Sequence, residues 1–304
     1  MVRPERIRTT CRDGASGAAG GPRTGGDGTS GRPTSCPRTG GHGGEVDRGS
    51  GCHRGAHRPG RHRPRLWQEL LLLALCYLAY QTVRNLVPTD HAIAAHRAYE
   101  ILNLEYDLRF NVEYSLNRLF VTHGWLAVGA NYFYATAHFA VTIAVMVWLY
   151  VWRPAHYARY RTLLFATTVL GLIGFWIYPL APPRMLPGFT DTVITFGTWG
   201  IYDSGPTASL SNQYAAMPSM HTAWSLWCAA AVIAVTRRRW AMVLAALYPA
   251  ATIVVIMGTA NHFLLDAVGG GAAVAGGLAL TRGAFLAVAL ARPAHESSAP
   301  RTPG

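Results

Sequence analysis

Between residues 125 and 152 the chain reads WLAVGANYFYATAHFAVTIAVMVWLYVW, without a single Asp, Glu, Lys or Arg. About 20 apolar residues in a helix are enough to cross the ~30 Å hydrocarbon layer of a bilayer. On either side of this run along the chain, five more apolar runs occupy residues 66–83, 163–180, 220–235, 240–257 and 262–280. The sequence therefore predicts an all-α, polytopic membrane protein built as a bundle of six transmembrane helices.

The composition agrees with a membrane protein. Half of the 304 residues are hydrophobic and only 14% are charged. These values exclude a soluble enzyme, a disulfide-rich secreted module and a coiled coil. The 5 cysteines form no Cys-x-x-Cys pair and match no zinc-ligand spacing. We therefore predict no metal, no cofactor and no disulfide framework.

The ends of the chain differ from the apolar middle. Residues 1–65 are rich in Gly, Arg, Ser, Thr and Pro, and they hold 13 arginines against 5 acidic residues. Such a segment buries too little apolar surface to fold, so we predict a disordered cytoplasmic tail at 1–65 and another at 291–304, flanking a membrane domain at 66–290. The tail lacks aromatic residues between its arginines, which argues against nucleic acid and favours a topology signal or contact with anionic lipid.

The basic loops predict the orientation. Arginines cluster in the tail, in 153–161, in 237–239 and near the C-terminus. With six spans, all of these fall on one side, which the positive-inside rule assigns to the cytoplasm. We therefore expect a multi-pass protein of the plasma membrane with both termini in the cytoplasm, and with 84–124, 181–219 and 258–262 facing outward.

The outward segment 90–123 is not a span. Apolar residues recur at steps of three and four from Ile101 to Leu119, with charged and amide side chains between them. This pattern predicts one amphipathic helix, in the outer interface or packed over the bundle, and nothing in it indicates a ligand site.

Three polar clusters lie at outward ends of spans. They read PPRM at 182–185, AMPSMH at 216–221 and GTANHFLLD at 258–266. Residues four apart share a helix face, so His262 and Asp266 are predicted neighbours, an arrangement that prepares a basic or nucleophilic imidazole. His221, Ser219 and Asn261 are predicted near helix starts, where backbone N–H groups favour phosphate, and Arg184 is a fixed cation for it. Each residue alone also fits an interfacial polar residue, a cap or an anchor, but together they favour function.

Together, Pro-Ser-Met-His (218–221), His-Phe-Leu-Leu-Asp (262–266) and Tyr-Pro-Leu-Ala-Pro-Pro-Arg (178–184) resemble the type 2 phosphatidic acid phosphatase superfamily over roughly 66–290. The chain is most similar to the branch of fungal inositol phosphorylceramide synthases and their bacterial relatives. Ile177, Met185 and Ile256 stand where the wider superfamily has Lys, Pro and Arg. Two phosphate-binding cations are therefore missing, as in that branch, which weakens the case for a plain phosphatase.

The resemblance implies a role for each matching residue. His262 is the nucleophile that attacks phosphorus, and Asp266 orients it. His221 protonates the leaving oxygen and later deprotonates the acceptor. Arg184 binds phosphate oxygens, with Ser219 as a weaker candidate. Asn261 is a further phosphate-binding candidate because of its position near a predicted helix start.

Other polar residues are open to two interpretations. His138 and Tyr134 share a face of the second span, where they line the substrate or form a buried polar ladder. Asp191 and Asp203 meet a polyol headgroup or are simply solvated. The glycines at 269–271 and 276–277 indicate close helix packing.

Three functions remain open from the sequence. The favoured one moves a phosphoryl group or phospho-headgroup, such as phosphoinositol, between lipid-linked donor and acceptor at the outer membrane face. The alternative is a phosphatase of lipid phosphates or polyprenyl diphosphates, with water as acceptor. A membrane scaffold or transporter-like protein is the non-enzyme alternative. The expected partners are the bilayer and a phospholipid or polyprenyl-lipid substrate, without nucleic acid, and the sequence leaves the oligomeric state open.

Overall fold

The computed structural model describes residues 64–86, 90–198 and 212–291. In these ranges the chain forms nine α-helices, one short 3-10 helix at Pro183–Met185 and no strand, which confirms the predicted all-helical fold. The predicted tails lie outside the described residues, apart from 64–65 and residue 291. The α-helices are α1 (Leu66–Leu86), α2 (His91–Asp107), α3 (Glu113–Thr122), α4 (Gly124–Trp152), α5 (Pro154–Ile177), α6 (Thr192–Phe196), α7 (Met220–Val235), α8 (Arg239–Gly258) and α9 (Leu264–Ala291).

Five of the six predicted spans are long and apolar enough, by length and composition, to cross a membrane: α1, α4, α5, α8 and α9. The sixth, α7, has 16 residues, so it is about 24 Å long and shorter than the ~30 Å hydrocarbon layer. It packs against α4, α5, α8 and α9, and Trp227 at its middle is fully buried. Neighbouring helices, rather than lipid, therefore surround much of this central helix.

The segment 153–161, predicted as a cytoplasmic loop, is instead mostly the start of α5. The helix begins at Pro154, because proline suits the first helical position, where no N–H partner is needed. Arg161 forms an ion pair with Glu69 of α1, and the Tyr157 hydroxyl donates to the same carboxylate at 2.9 Å. These contacts join α1 to α5.

The single amphipathic helix predicted within 90–123 is wrong, because α2 and α3 are separate helices. Arg109, between them, has a left-handed backbone with φ of 58°, and the Phe110 N–H donates to the Glu105 carbonyl at 2.8 Å. The break follows from tertiary contacts. Glu105 near the end of α2 and Glu113 at the start of α3 both reach the N-terminus of α9.

Of the glycines predicted to pack closely, Gly269, Gly270, Gly276 and Gly277 of α9 do so, whereas a Cβ at Gly271 would meet only Leu226, at 3.8 Å. A Cβ at Gly270 would lie 2.5 Å from the Ser219 carbonyl oxygen, and a Cβ at Gly277 would lie 2.5 Å from Thr167 Oγ1. Since hydrogen is the only side chain that fits at Gly270, the start of α7 lies directly against α9. This approach brings the second and third polar clusters together.

Candidate active site

Backbone hydrogen bonds join the three polar clusters. The Arg184 N–H donates to the Ala260 carbonyl at 2.9 Å, and the Ser219 N–H donates to the Asp266 carbonyl at 2.9 Å. A short parallel bridge also pairs Leu180 with Ala215. The segments that carry the two histidines and the arginine are therefore held together by main-chain bonds, independently of the side chains.

His262 and Asp266 form the predicted pair. His262 Nδ1 lies 3.2 Å from Asp266 Oδ2, and the Asp266 side chain is fully buried. The same oxygen accepts the Phe263 N–H at 3.0 Å. The contact is as predicted, but its helical setting is not, since α9 begins only at Leu264 and His262 precedes it. With Nδ1–H donating to the carboxylate, Nε2 is the nitrogen left to react.

His221 lies beside this pair, in the first turn of α7. The centroids of the His221 and His262 rings are 5.6 Å apart. Tyr134 stacks on the His221 ring at 4.1 Å with an interplanar angle of 19°, and the His138 ring lies 4.2 Å from it. His221 Nε2 is buried and has no hydrogen-bond partner within the described ranges. The ring is thus held by its faces, with one nitrogen available for proton transfer.

Arg184 is fixed through all three nitrogens of its guanidinium group. Nη1 donates to Asn261 Oδ1 at 2.5 Å, Nη2 donates to Gln213 Oε1 at 3.3 Å, and Nε pairs with Asp191 Oδ2 at 3.3 Å. Asp191 also accepts the Val193 and Ile194 N–H groups as the N-cap of α6. The cation is therefore preorganised, and a carboxylate offsets part of its charge.

Two of the predicted phosphate ligands have structural partners. Asn261 uses its oxygen for Arg184, and its Nδ2 donates to Thr259 Oγ1 at 2.8 Å. Ser219 is the fully buried N-cap of α7, and its Oγ accepts the Thr222 N–H at 3.4 Å. Their side chains position Arg184 and α7, respectively. Asp203 lies outside the described residues.

Glu105 and Glu113 are site residues that the sequence reasoning missed. Both are fully buried, and their Oε1 atoms accept the Leu265 and Leu264 N–H groups at 2.7 Å each. Their Oε2 atoms have no partner outside this pair in the described part of the chain. Burial raises the pKa of Glu105 to about 9, and the negative charges of Glu113 and Asp266 add to the effect. The two acids fix the start of α9 beside His262, and only their tertiary placement reveals this.

A cavity that is partly open to the exterior joins these groups, with about 750 Å³ of empty space when the open part is counted. His221, His262, Arg184 and the two predicted lining residues His138 and Tyr134 all border it. The wall also contains side chains of α1 that the sequence reasoning did not select: Tyr77, Tyr80, Gln81 and Arg84. Among these four residues, only Arg84 stands out in the sequence, because it is a basic residue at the end of the first apolar run, on the side predicted to face outward.

The arrangement offers an imidazole paired with a buried carboxylate, a second imidazole and a fixed cation around one space. Such a set suits attack on a phosphorus or carbonyl centre with transfer of one proton. Within the described ranges, no group of three or more His, Cys, Asp or Glu side chains is placed to hold a metal ion. The predicted absence of a metal and a cofactor stays a prediction.

A comparison with protein families gives one match. The model of the PAP2 superfamily matches residues 99–280, which is more than half of the chain. The matched region begins within α2 and ends within α9, so it includes both histidines and Arg184 but leaves out α1. Neither the curated proteins nor the solved structures contain a match.

Proposed function

The chain belongs to the PAP2 superfamily, and from this premise we propose that it is a membrane enzyme that transfers a phosphoryl group or a phospho-headgroup between lipids. Members of this superfamily are phosphatases or phosphotransferases. The single observation that supports the proposal best is the pairing of His262 with the buried Asp266 carboxylate beside a second histidine. The ring centroids of His262 and His221 are 5.6 Å apart, and both rings border a cavity that Arg184 also borders.

The proposed reaction has two half-reactions. His262 Nε2 attacks the phosphorus of the donor, and a P–N bond forms while the P–O bond to the leaving alcohol breaks. Protonated His221 gives its proton to the leaving oxygen. Asp266 stabilises the positive charge on the phosphorylated imidazole through Nδ1–H. Arg184 neutralises charge on the phosphate oxygens.

The second half-reaction reverses the proton transfer. His221 accepts the proton of an acceptor hydroxyl, whose oxygen attacks phosphorus and displaces His262 Nε2. Both histidines then return to their initial protonation states. The net change is one P–O bond broken and one formed, with no redox partner.

Two observations favour a lipid-linked alcohol, rather than water, as the acceptor. Positions 177 and 256, where the wider superfamily carries cations, hold isoleucines here, so the site differs from that of a plain phosphatase. The cavity wall carries the amides of Gln81, Asn212 and Gln213 beside tyrosines. Amide and hydroxyl groups are the donors and acceptors that a polyol headgroup such as inositol requires.

The location of the site is part of the proposal. The arginine pattern predicts that His221, His262 and Arg184 face the outside of the plasma membrane, with both termini in the cytoplasm. A phospholipid or polyprenyl-lipid donor would then enter from the outer leaflet.

The test uses purified full-length protein in detergent micelles. Radiolabelled phosphatidic acid, phosphatidylinositol and polyprenyl diphosphate are supplied with and without a diacylglycerol acceptor whose acyl chains differ in length from those of the donor, so that the transfer product is a distinguishable lipid. Label appearing in a new lipid, lost in His262→Ala and His221→Ala but kept in His96→Ala, is the expected result. His96 is the matched control, because its side chain is 76% exposed. Release of inorganic phosphate alone would assign the phosphatase reaction instead, and turnover that survives His262→Ala would refute the proposal.

A further inference from the structure

The first membrane helix brings a second arginine to the proposed active site. Arg84 lies in the last turn of α1, is half-buried, and borders the cavity together with Arg184, His221 and His262. We propose that Arg84 is a second cation that binds the phosphate of the substrate. The proposal rests on the phosphate chemistry proposed above and adds a residue that lies outside the matched family region.

The segment that follows residue 211 holds both arginines in place. Asn212 and Arg84 exchange hydrogen bonds: Arg84 Nη2 donates to the Asn212 carbonyl at 3.3 Å, and Asn212 Nδ2 donates to the Arg84 carbonyl at 3.2 Å. The next residue, Gln213, accepts from Arg184 Nη2 at 3.3 Å. Consecutive residues therefore contact the two arginines, and all four side chains border the same cavity.

The charge of the site gives a second cation a chemical purpose. Arg184 is paired with Asp191, and His262 is paired with Asp266. Each pair is close to neutral when both of its members are charged, whereas a phosphate ester brings one or two negative charges into a partly buried space. Moving such an anion out of water is costly unless cations or strong donors replace its hydration. Arg84 places a second guanidinium group at the cavity wall, in addition to that of Arg184.

The usual cation positions do not provide this charge. Ile177 is 67% exposed at the end of α5, and Ile256 is fully buried among apolar neighbours of α8. Neither residue borders the cavity. Arg84 of α1 supplies the positive charge that positions 177 and 256 lack.

Two structural roles for Arg84 predict different behaviour. As a topology signal, it would belong with the basic segments on the cytoplasmic side, but it lies at the opposite end of α1 from Arg65. As a favourable charge at a helix C-terminus, it would act through the helix dipole and leave ligand binding unchanged. Binding measurements therefore separate these roles from ours.

The experiment measures binding directly. Inorganic phosphate and, separately, dioctanoyl phosphatidic acid are titrated by calorimetry into the full-length protein in detergent. We compare wild type with Arg84→Gln, Arg84→Lys and the control Arg118→Gln, an exposed arginine of α3. Loss of a charge-assisted hydrogen bond predicts a Kd about 10- to 100-fold higher for both ligands in Arg84→Gln. Arg84→Lys should fall between it and wild type, and Arg118→Gln should match wild type.

Each further outcome is decisive. Wild-type Kd values in folded Arg84→Gln would overturn the proposal, as would wild-type protein that binds neither ligand. Weaker binding of the lipid alone would mean that Arg84 contacts another part of the lipid, which also overturns it. If Arg84→Gln does not fold, Arg84→Lys decides: a raised Kd for both ligands supports phosphate binding, and an unchanged Kd overturns it. The proposed function fails separately, if wild type turns over no lipid while phosphate still binds.

Discussion

Replacing Asp266 by Asn removes one charge from the candidate site while conserving its shape. In the wild type, Oδ2 accepts from His262 Nδ1 at 3.2 Å and from the Phe263 N–H at 3.0 Å. An amide oxygen at the same position still accepts both hydrogen bonds. What disappears is the negative charge that stabilises His262 when it becomes cationic during phosphoryl transfer.

The distance sets the expected size of the effect. Two unit charges 3.2 Å apart attract by about 5 kcal/mol at an effective dielectric constant of about 20. At 1.36 kcal/mol for each factor of ten, this limits the loss to about 10⁴-fold, and acid–base groups usually contribute at least ~10²-fold. We therefore expect Asp266→Asn to lower turnover by ~10²- to 10⁴-fold.

Stability must be measured in parallel. Asp266 Oδ1 is buried without a hydrogen-bond partner among the described residues, so the amide nitrogen of Asn would be an unsatisfied donor that costs about 1–3 kcal/mol. Rates are therefore expressed per folded molecule, from thermal unfolding in the same detergent. The control Asp107→Asn changes an exposed carboxylate and should stay within twofold of wild type. Folded Asp266→Asn with turnover within about threefold of wild type would refute the role of the carboxylate.

Three further predictions concern the helices around the site. Because the pKa of Glu105 is raised from 4.5 to about 9, the folded protein holds a proton in this pH range that the unfolded chain releases, so the free energy of unfolding should fall as the pH rises through it. Glu105→Gln should flatten the dependence of the thermal midpoint on pH, and an unchanged slope contradicts this. Gly270→Ala should lower the free energy of unfolding by about 1–3 kcal/mol and reduce turnover by displacing α7, whereas Gly283→Ala, which meets no atom within 4 Å, should do neither; equal effects of the two would refute the packing argument. In a cysteine-free background, an impermeant thiol reagent should label Ile194→Cys, 73% exposed in the wild type, on intact cells and Arg238→Cys only after lysis, and the reverse pattern would invert the topology.

The sequence predicted helix bounds best where a helix coincides with one continuous apolar run. The run at 220–235 coincides with α7, and the runs at 125–152 and 240–257 match α4 and α8 within a residue at each end. Apolar residues alone define these segments. The start of α5 was misplaced by nine residues, because its first turns contain arginine, histidine and tyrosine side chains and therefore lie outside the apolar run.

The candidate site was predictable where its contacts are local. The spacing of His262 and Asp266 predicted their contact. The grouping of His221 and Arg184 with them rested instead on the predicted position of all three clusters at outward ends of spans and on the family resemblance. Glu105 was not predictable, because its partner, the Leu265 N–H, is 160 residues away in the sequence. Arg84 was missed for the same reason, since its contact with Asn212 spans 128 residues.

Ser219 and Asn261 show that a correctly predicted position does not determine a side chain's hydrogen-bond partners. Both are polar and close to the histidines in sequence, so they were predicted to bind phosphate. The structure uses the Ser219 hydroxyl as a helix cap and the Asn261 oxygen to hold Arg184. The sequence predicted their proximity to the site, but which hydrogen bonds they form depends on neighbours that only the fold defines.

The most direct test of the proposed mechanism is whether His262 carries the phosphoryl group during turnover. The full-length protein is mixed with a ³²P-labelled lipid donor, quenched within milliseconds and mapped for acid-labile phosphohistidine, with His221→Ala included to slow breakdown of the intermediate. The covalent mechanism predicts label on His262 in the wild type and none in His262→Ala. Label on His221 would reverse the two roles, and absence of label with inversion at a chiral phosphorus would contradict the covalent mechanism.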